Sequence, residues 1–128
     1  MTQSVVAGMV SAAVLLAISV AIFLMGRAAE SGRIRLNYTI GIRTRWTLAS
    51  DEAWLAGHRA GGRDVKIAAW GAGIGSAMGV ASGFLVFTGL SETLTNTVIA
   101  TFIIGACLWM VAWLIAGTAA ANRAAKAV

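Results

Sequence analysis

The run Ile67-Ala68-Ala69-Trp70-Gly71-Ala72-Gly73-Ile74-Gly75-Ser76-Ala77-Met78-Gly79-Val80-Ala81-Ser82-Gly83-Phe84-Leu85-Val86-Phe87-Thr88-Gly89 reads as lipid-soluble helix from end to end. It contains no Asp, Glu, Lys, Arg or His. At 1.5 Å rise per residue, about 20 residues cross a hydrocarbon core roughly 30 Å thick, and this run is long enough. Two other runs pass the same test, Val5 to Met25 and Thr97 to Thr118. The whole chain is 59% hydrophobic over 128 residues, with a mean hydropathy of +0.81. Charged residues make up 12%, about half the share of a soluble domain. The expected fold is all-α, an integral membrane bundle of three transmembrane helices in one domain.

This reading places spans at about 5–25, 67–89 and 97–118, a first loop at 26–66, an outer hairpin at 90–96 and a tail at 119–128. A cleaved signal peptide would carry positive charge ahead of a shorter apolar core. Met1-Thr2-Gln3-Ser4 has no charged side chain, so the first run is read as a retained helix that leaves the membrane at Gly26-Arg27. Orientation follows from the basic residues. Eight of ten Lys and Arg lie between Arg27 and Lys66, and the tail adds Arg123 and Lys126. The expected topology is a multi-pass protein of a bacterial inner (cytoplasmic) membrane, with the N-terminus outside and the C-terminus cytoplasmic. That bias accounts for most of the high isoelectric point, so no nucleic-acid partner is expected. Membrane lipids are, because juxtamembrane cations attract anionic headgroups.

Cys107 is the lone cysteine and has no intrachain partner. With one His besides, the soft ligands for a metal site are lacking. No metal, cofactor or catalytic residue is expected: paired carboxylates, a nucleophile–base pair and ionisable groups inside the spans are all missing from the sequence.

Gly71, Gly75, Gly79 and Gly83 recur every four residues and lie on one helical stripe. Small residues at that spacing let two helix backbones approach closely. The stripe packs against the first or third helix, or it is a seam for a homo-oligomer or another membrane protein. Trp109 and Trp113, one turn apart, suit interfacial anchoring or packing.

The first loop carries the polar island Asn37-Tyr38-Thr39-Ile40-Gly41-Ile42-Arg43-Thr44-Arg45-Trp46-Thr47-Leu48, followed by Trp54 and Gly57-His58-Arg59. Ser50 is an expected N-cap with Asp51 and Glu52 in the first turn, and Gly61-Gly62 an expected stop. The loop should thus be structured and carry a short amphipathic helix, Asp51 to Ala60, with Trp54 and His58 on one face. Arg43 and Arg59 are expected to pair with Asp51, Glu52 or helix C-terminal carbonyls, and Asn37 to shape a turn. The residues singled out for partner or lipid contact are Asn37, Gly41, Arg43, Thr44, Trp54, His58 and Arg59.

The pattern Asn37…Gly41-Ile42-Arg43-Thr44…Thr47-Leu48…Ser50…Trp54…His58-Arg59…Gly62, set among transmembrane helices, resembles the SdpI family of bacterial membrane proteins. The resemblance runs from Asn37 to Gly62, and Leu36 stands where that family often has a proline. It implies an immunity protein against a secreted toxin, and signal relay by holding a repressor at the membrane. The chain has room for the three-helix unit alone. A second reading is an accessory subunit of a larger membrane complex, docked through the glycine stripe. Both are non-enzymatic, and the expected protein partner is a membrane complex, a cytoplasmic regulator or a second copy of the chain.

Overall fold

The computed structural model describes residues 1–128 and is all-helical. Three long helices, α1 (Gln3–Glu30), α2 (Asp51–Ser82) and α3 (Glu92–Lys126), are each long and apolar enough to cross a membrane. Short 3₁₀ turns occupy Thr47–Ala49 and Gly83–Thr88.

The helices run past the apolar runs except at the end of α2, which stops at Ser82 and leaves Gly83–Thr88 of the expected span 67–89 as 3₁₀ helix; local chemistry sets the other ends. α1 does not stop at Gly26-Arg27. It continues to Glu30, where Gly32 adopts φ +74 and donates to the Ala29 carbonyl (3.1 Å) while Arg33 donates to that of Ala28 (2.9 Å). This pair of bonds satisfies carbonyls that the helix end would otherwise orphan. α2 begins as expected: the Ser50 hydroxyl accepts the Ala53 N–H at 3.0 Å, with Asp51 and Glu52 in the first turn. It does not end at Gly61-Gly62, so the expected short helix is only the beginning of a much longer one that runs on to Ser82. Those glycines make room for neighbours instead. A Cβ on Gly62 would lie 2.6 Å from the Glu30 nitrogen, and one on Gly61 would lie 2.8 Å from the Gly117 carbonyl oxygen. The Ser91 hydroxyl caps α3 by accepting the Leu94 N–H (3.2 Å), and Arg123 and Lys126 sit in its last turn, where cations suit the dipole.

The chain forms two compact units, and each long helix contributes a part to both. Unit 1 comprises Met1–Val20 and Ala69–Met110. Its interior is made of small side chains: Ala12, Ala69, Ala72, Ser76 and Ala106 are buried, together with Val5 and Ile99. Large apolar side chains point outward instead, in rows such as Val6, Val10, Val14 and Ile18 on α1 and Trp70, Ile74 and Met78 on α2. In water such rows would be an aggregation surface; in lipid they are solvated. The buried hydroxyls of Ser19 and Ser76 fold back onto their own helices, to the Leu15 carbonyl (2.8 Å) and the Ala72 carbonyl (2.6 Å), while that of Thr95 has no partner. The glycine stripe is covered by the same chain. Gly71 lies under the Trp109 indole, Gly75 faces Ala106, Gly79 faces Ala12 and Phe102, and Gly83 lies under Met9.

An added Cβ would meet Ala106 at 3.1 Å from Gly75 and Ala12 at 3.2 Å from Gly79, whereas Gly105 has nothing within 4 Å. Gly75→Leu or Gly79→Leu should therefore destabilise the isolated protein by about 1–3 kcal/mol through overpacking. Gly105→Ala should be neutral, or stabilise by up to about 1 kcal/mol through helix propensity. Unfolding titrations in mixed detergent micelles compare the three.

Candidate functional site

Unit 2 comprises Ala21–Ala68 and Val111–Val128, and it contains the whole polar island. The helices meet here through a second set of glycines. A Cβ on Gly57 would lie 3.2 Å from the Ala121 carbonyl oxygen, and one on Gly117 would lie 3.3 Å from that of Gly61. Gly57 with Gly61 on α2, and Gly117 with Ala121 on α3, thus form a backbone-to-backbone contact. On α1, a Cβ on Gly26 would lie 2.9 Å from a Val65 methyl. Glu30 and Lys66 form an ion pair at the partly exposed edge, where such pairs contribute little.

At the centre of the site, Trp54 and His58, each 1% exposed, stack with ring centroids 4.0 Å apart. One helical turn separates them, so α2 presents both rings on the same face. The connecting segment closes over this pair. Trp54 donates its indole N–H to the Ile34 carbonyl at 2.9 Å. His58 Nε2 accepts the Ile42 N–H at 2.9 Å, and Nδ1 donates to the Trp54 carbonyl at 2.8 Å. These partners fix the neutral ring with its proton on Nδ1. Gly41 crosses at φ +117, where a Cβ would lie 2.5 Å from His58 Nε2 and 2.9 Å from the Trp54 ring. No other residue type satisfies both the backbone conformation and the space.

Neutral side chains order the remainder of the segment. The Asn37 carbonyl oxygen accepts the N–H groups of Thr39 (2.8 Å) and Ile40 (2.7 Å), and its amide donates to the Arg35 carbonyl (2.8 Å). Thr47 is fully buried; its hydroxyl donates to the Ile42 carbonyl (2.7 Å) and accepts the Thr44 N–H (2.9 Å). The Thr44 hydroxyl donates to Asn122 Oδ1 on α3 at 2.6 Å. Arg45 and Lys126 both approach the Trp46 ring, at 4.5 and 4.4 Å from its centroid.

Among the residues singled out in the island, Gly41, Thr44, Trp54, His58 and Arg59 therefore lie in contacts that join α2 or α3 to the segment. Asn37 shapes the segment locally. Arg43 departs from expectation: its guanidinium donates to the Tyr38 carbonyl rather than pairing with Asp51 or Glu52. Arg59 lies over Gly32, just past the C-terminus of α1, where a cation is favoured by the dipole. Sequence reasoning quoted Trp46 and Thr47 within the island without singling them out as contact residues, and it passed over Asn122. An isolated Asn in an alanine-rich tail was the available signal for the last.

These features define a polytopic helical membrane protein with a polar segment folded onto a buried Trp–His pair. The family model described as the SdpI/YfhL protein family matches residues 33–117, about two thirds of the chain. The chain belongs to that family. The comparisons with curated proteins and with solved structures give no match.

Gly41→Ala should cost about 1–2 kcal/mol for its backbone conformation alone, and more for the overlap with His58. Trp54→Phe, which orphans the Ile34 carbonyl, should cost about 1–3 kcal/mol. Both should raise the rate of tryptic cleavage after Arg43 and Arg45 in detergent, against an unchanged rate after Arg123. Thr44→Val and Asn122→Ala should couple by about 1 kcal/mol in a double-mutant cycle.

Proposed function

We propose that this chain is a non-enzymatic SdpI-type membrane protein that confers immunity to a secreted peptide toxin or relays its presence to a cytoplasmic regulator. The observation that carries this reading is the ordered segment itself: the motif of the family is folded around Trp54 and His58 in a family member. A non-enzymatic role is supported by how the polar groups are used. Both His58 nitrogens and the Thr47 hydroxyl are engaged in hydrogen bonds that hold the segment, which leaves no free base there. Arg33, Arg35, Arg43, Arg45, Arg59 and Arg63 are exposed around it and suit an acidic regulator surface. An accessory-subunit role through Gly71, Gly75, Gly79 and Gly83 draws less support, because each of those glycines faces its own chain.

The proposed setting is a bacterial cytoplasmic membrane, N-terminus outside, with residues 31–50 and the tail inside. Contacts support the pairing of sides: Thr44 bonds Asn122 near the tail, while the Asn96 amide donates to Ser4 near the N-terminus (3.0 Å). The excess of basic residues around the segment supplies the sign.

Cells expressing the chain should survive higher doses of a cognate secreted peptide toxin than cells without it, and Gly41→Ala should abolish the difference. Equal killing across a panel of such toxins would remove the immunity reading. In a Cys107→Ser background, Ser4→Cys should react with a membrane-impermeant maleimide on intact cells. Lys126→Cys should react only after the cells are opened.

A further inference from the structure

We propose that unit 2 carries a specific site for one anionic phospholipid, its acyl chain in a groove along α3 and its phosphate at Arg45 and Lys126 beside Trp46. The groove is a shallow, open depression of about 520 Å³ lined by Val111, Leu114, Ile115, Thr118, Ala119 and Asn122, all on α3. Its wall is almost wholly apolar: the Thr118 hydroxyl is turned onto the Leu114 carbonyl (2.9 Å), and Asn122 Oδ1 is taken by Thr44. Val111, Ile115, Thr118 and Asn122 follow one another at helical spacing, and the next position on that stripe is Lys126. From Val111 to Lys126 the helix rises about 22 Å. One leaflet of a bilayer, headgroup included, is about as thick.

The charge at the far end supplies the specificity. The hydrogen bond from Thr44 to Asn122 brings the next two residues of the segment, Arg45 and Trp46, to the end of the groove. There Arg45 and Lys126 share one indole ring, and the ion pair formed in unit 2 joins Lys66 and Glu30 rather than either of these two cations. An aromatic face attracts a cation but does not neutralise it, and two cations on one ring repel. A phosphate diester bound beside Trp46 offsets that repulsion by interacting with both cations, while the apolar groove one turn away takes the attached chain. A zwitterionic lipid brings a competing cation, and free phosphate has no chain to fill the groove. Asn122 and Lys126 also lie beyond the residues matched by the family model, and the proposal does not depend on the immunity or relay role.

Native mass spectrometry of the full chain in mild detergent, titrated with dioleoyl phosphatidylglycerol or dioleoyl phosphatidylcholine, tests this. The phosphatidylglycerol adduct should dominate. Arg45→Gln and Lys126→Gln should each weaken it about fivefold, the usual effect of one basic residue near a membrane surface, and leave the phosphatidylcholine adduct unchanged. Arg63→Gln, away from the groove, should change neither, and Ala119→Phe should weaken the phosphatidylglycerol adduct by filling the groove. Equal binding of the two lipids would overturn the proposal. So would an effect of Arg63→Gln equal to that of Arg45→Gln, which signifies general surface charge. Displacement of phosphatidylglycerol by equimolar inorganic phosphate would also overturn it, since the chain would then contribute nothing. Arg45 and Lys126 are exposed, so their variants fold and keep the outcome readable if Ala119→Phe does not.

Discussion

Helices in hydrocarbon gain little by hiding apolar side chains from one another, because the surrounding lipid is just as apolar. What remains is dispersion, which falls steeply with distance, so association requires backbones to come close. Both compact units obey this constraint. In unit 1 the facing positions of α2 are glycine, alanine and serine, against Ala12 of α1 and Ala106 of α3. In unit 2 Gly57 and Gly61 lie against Gly117 and Ala121, and Gly26 against Val65. In unit 1 most bulky apolar residues are displaced to the outside, an arrangement opposite to that of a soluble core, whereas unit 2 buries Trp54 and His58.

Close packing fixes helices but does not order the long connection between α1 and α2. That connection has backbone N–H and C=O groups with no helix to satisfy them, and burying any of them without a partner is costly. The structure meets the need with neutral side chains at chosen points. Asn37 takes two N–H groups, Thr47 bridges Ile42 and Thr44, Trp54 takes the Ile34 carbonyl and His58 takes the Ile42 N–H. Each of these bonds contributes on the order of 1 kcal/mol, but losing one partner leaves the other exposed to the full desolvation cost. This asymmetry makes the segment one ordered body.

The three long apolar helices were legible because three uncharged apolar runs are each long enough to cross a bilayer. The stripe from Gly71 to Gly83 was legible for the same kind of reason, a strict four-residue period. Gly61-Gly62 was misread. A glycine pair after an amphipathic stretch signals a stop by local propensity, but here tertiary contact with Glu30 and Gly117 overrides it and the helix continues. Gly26 was misread the same way, and the period linking Gly57 to Gly61 was hidden by the expected break. In the site, Trp54 and His58 stood out by type and spacing. Asn122 did not, since its partner Thr44 is 78 positions away and no local pattern connects them.

The division of labour between neutral and charged residues bears on function. Asn37, Thr44, Thr47, Trp54, His58 and Asn122 hold the segment, and none of them needs a charge to do so. Among the basic residues, Arg33 and Arg43 make bonds within the segment, to Ser31 and Tyr38, and leave most of their surface to solvent. A surface rich in one sign of charge raises self-repulsion and adds nothing to a network of neutral hydrogen bonds. Under the roles proposed above, its value lies in what it would meet: anionic lipid headgroups and an acidic regulator. In that proposal the neutral network is the mount and the cations are what it presents, so that the backbone positions of the charges, as well as their sign, bear on which partner fits.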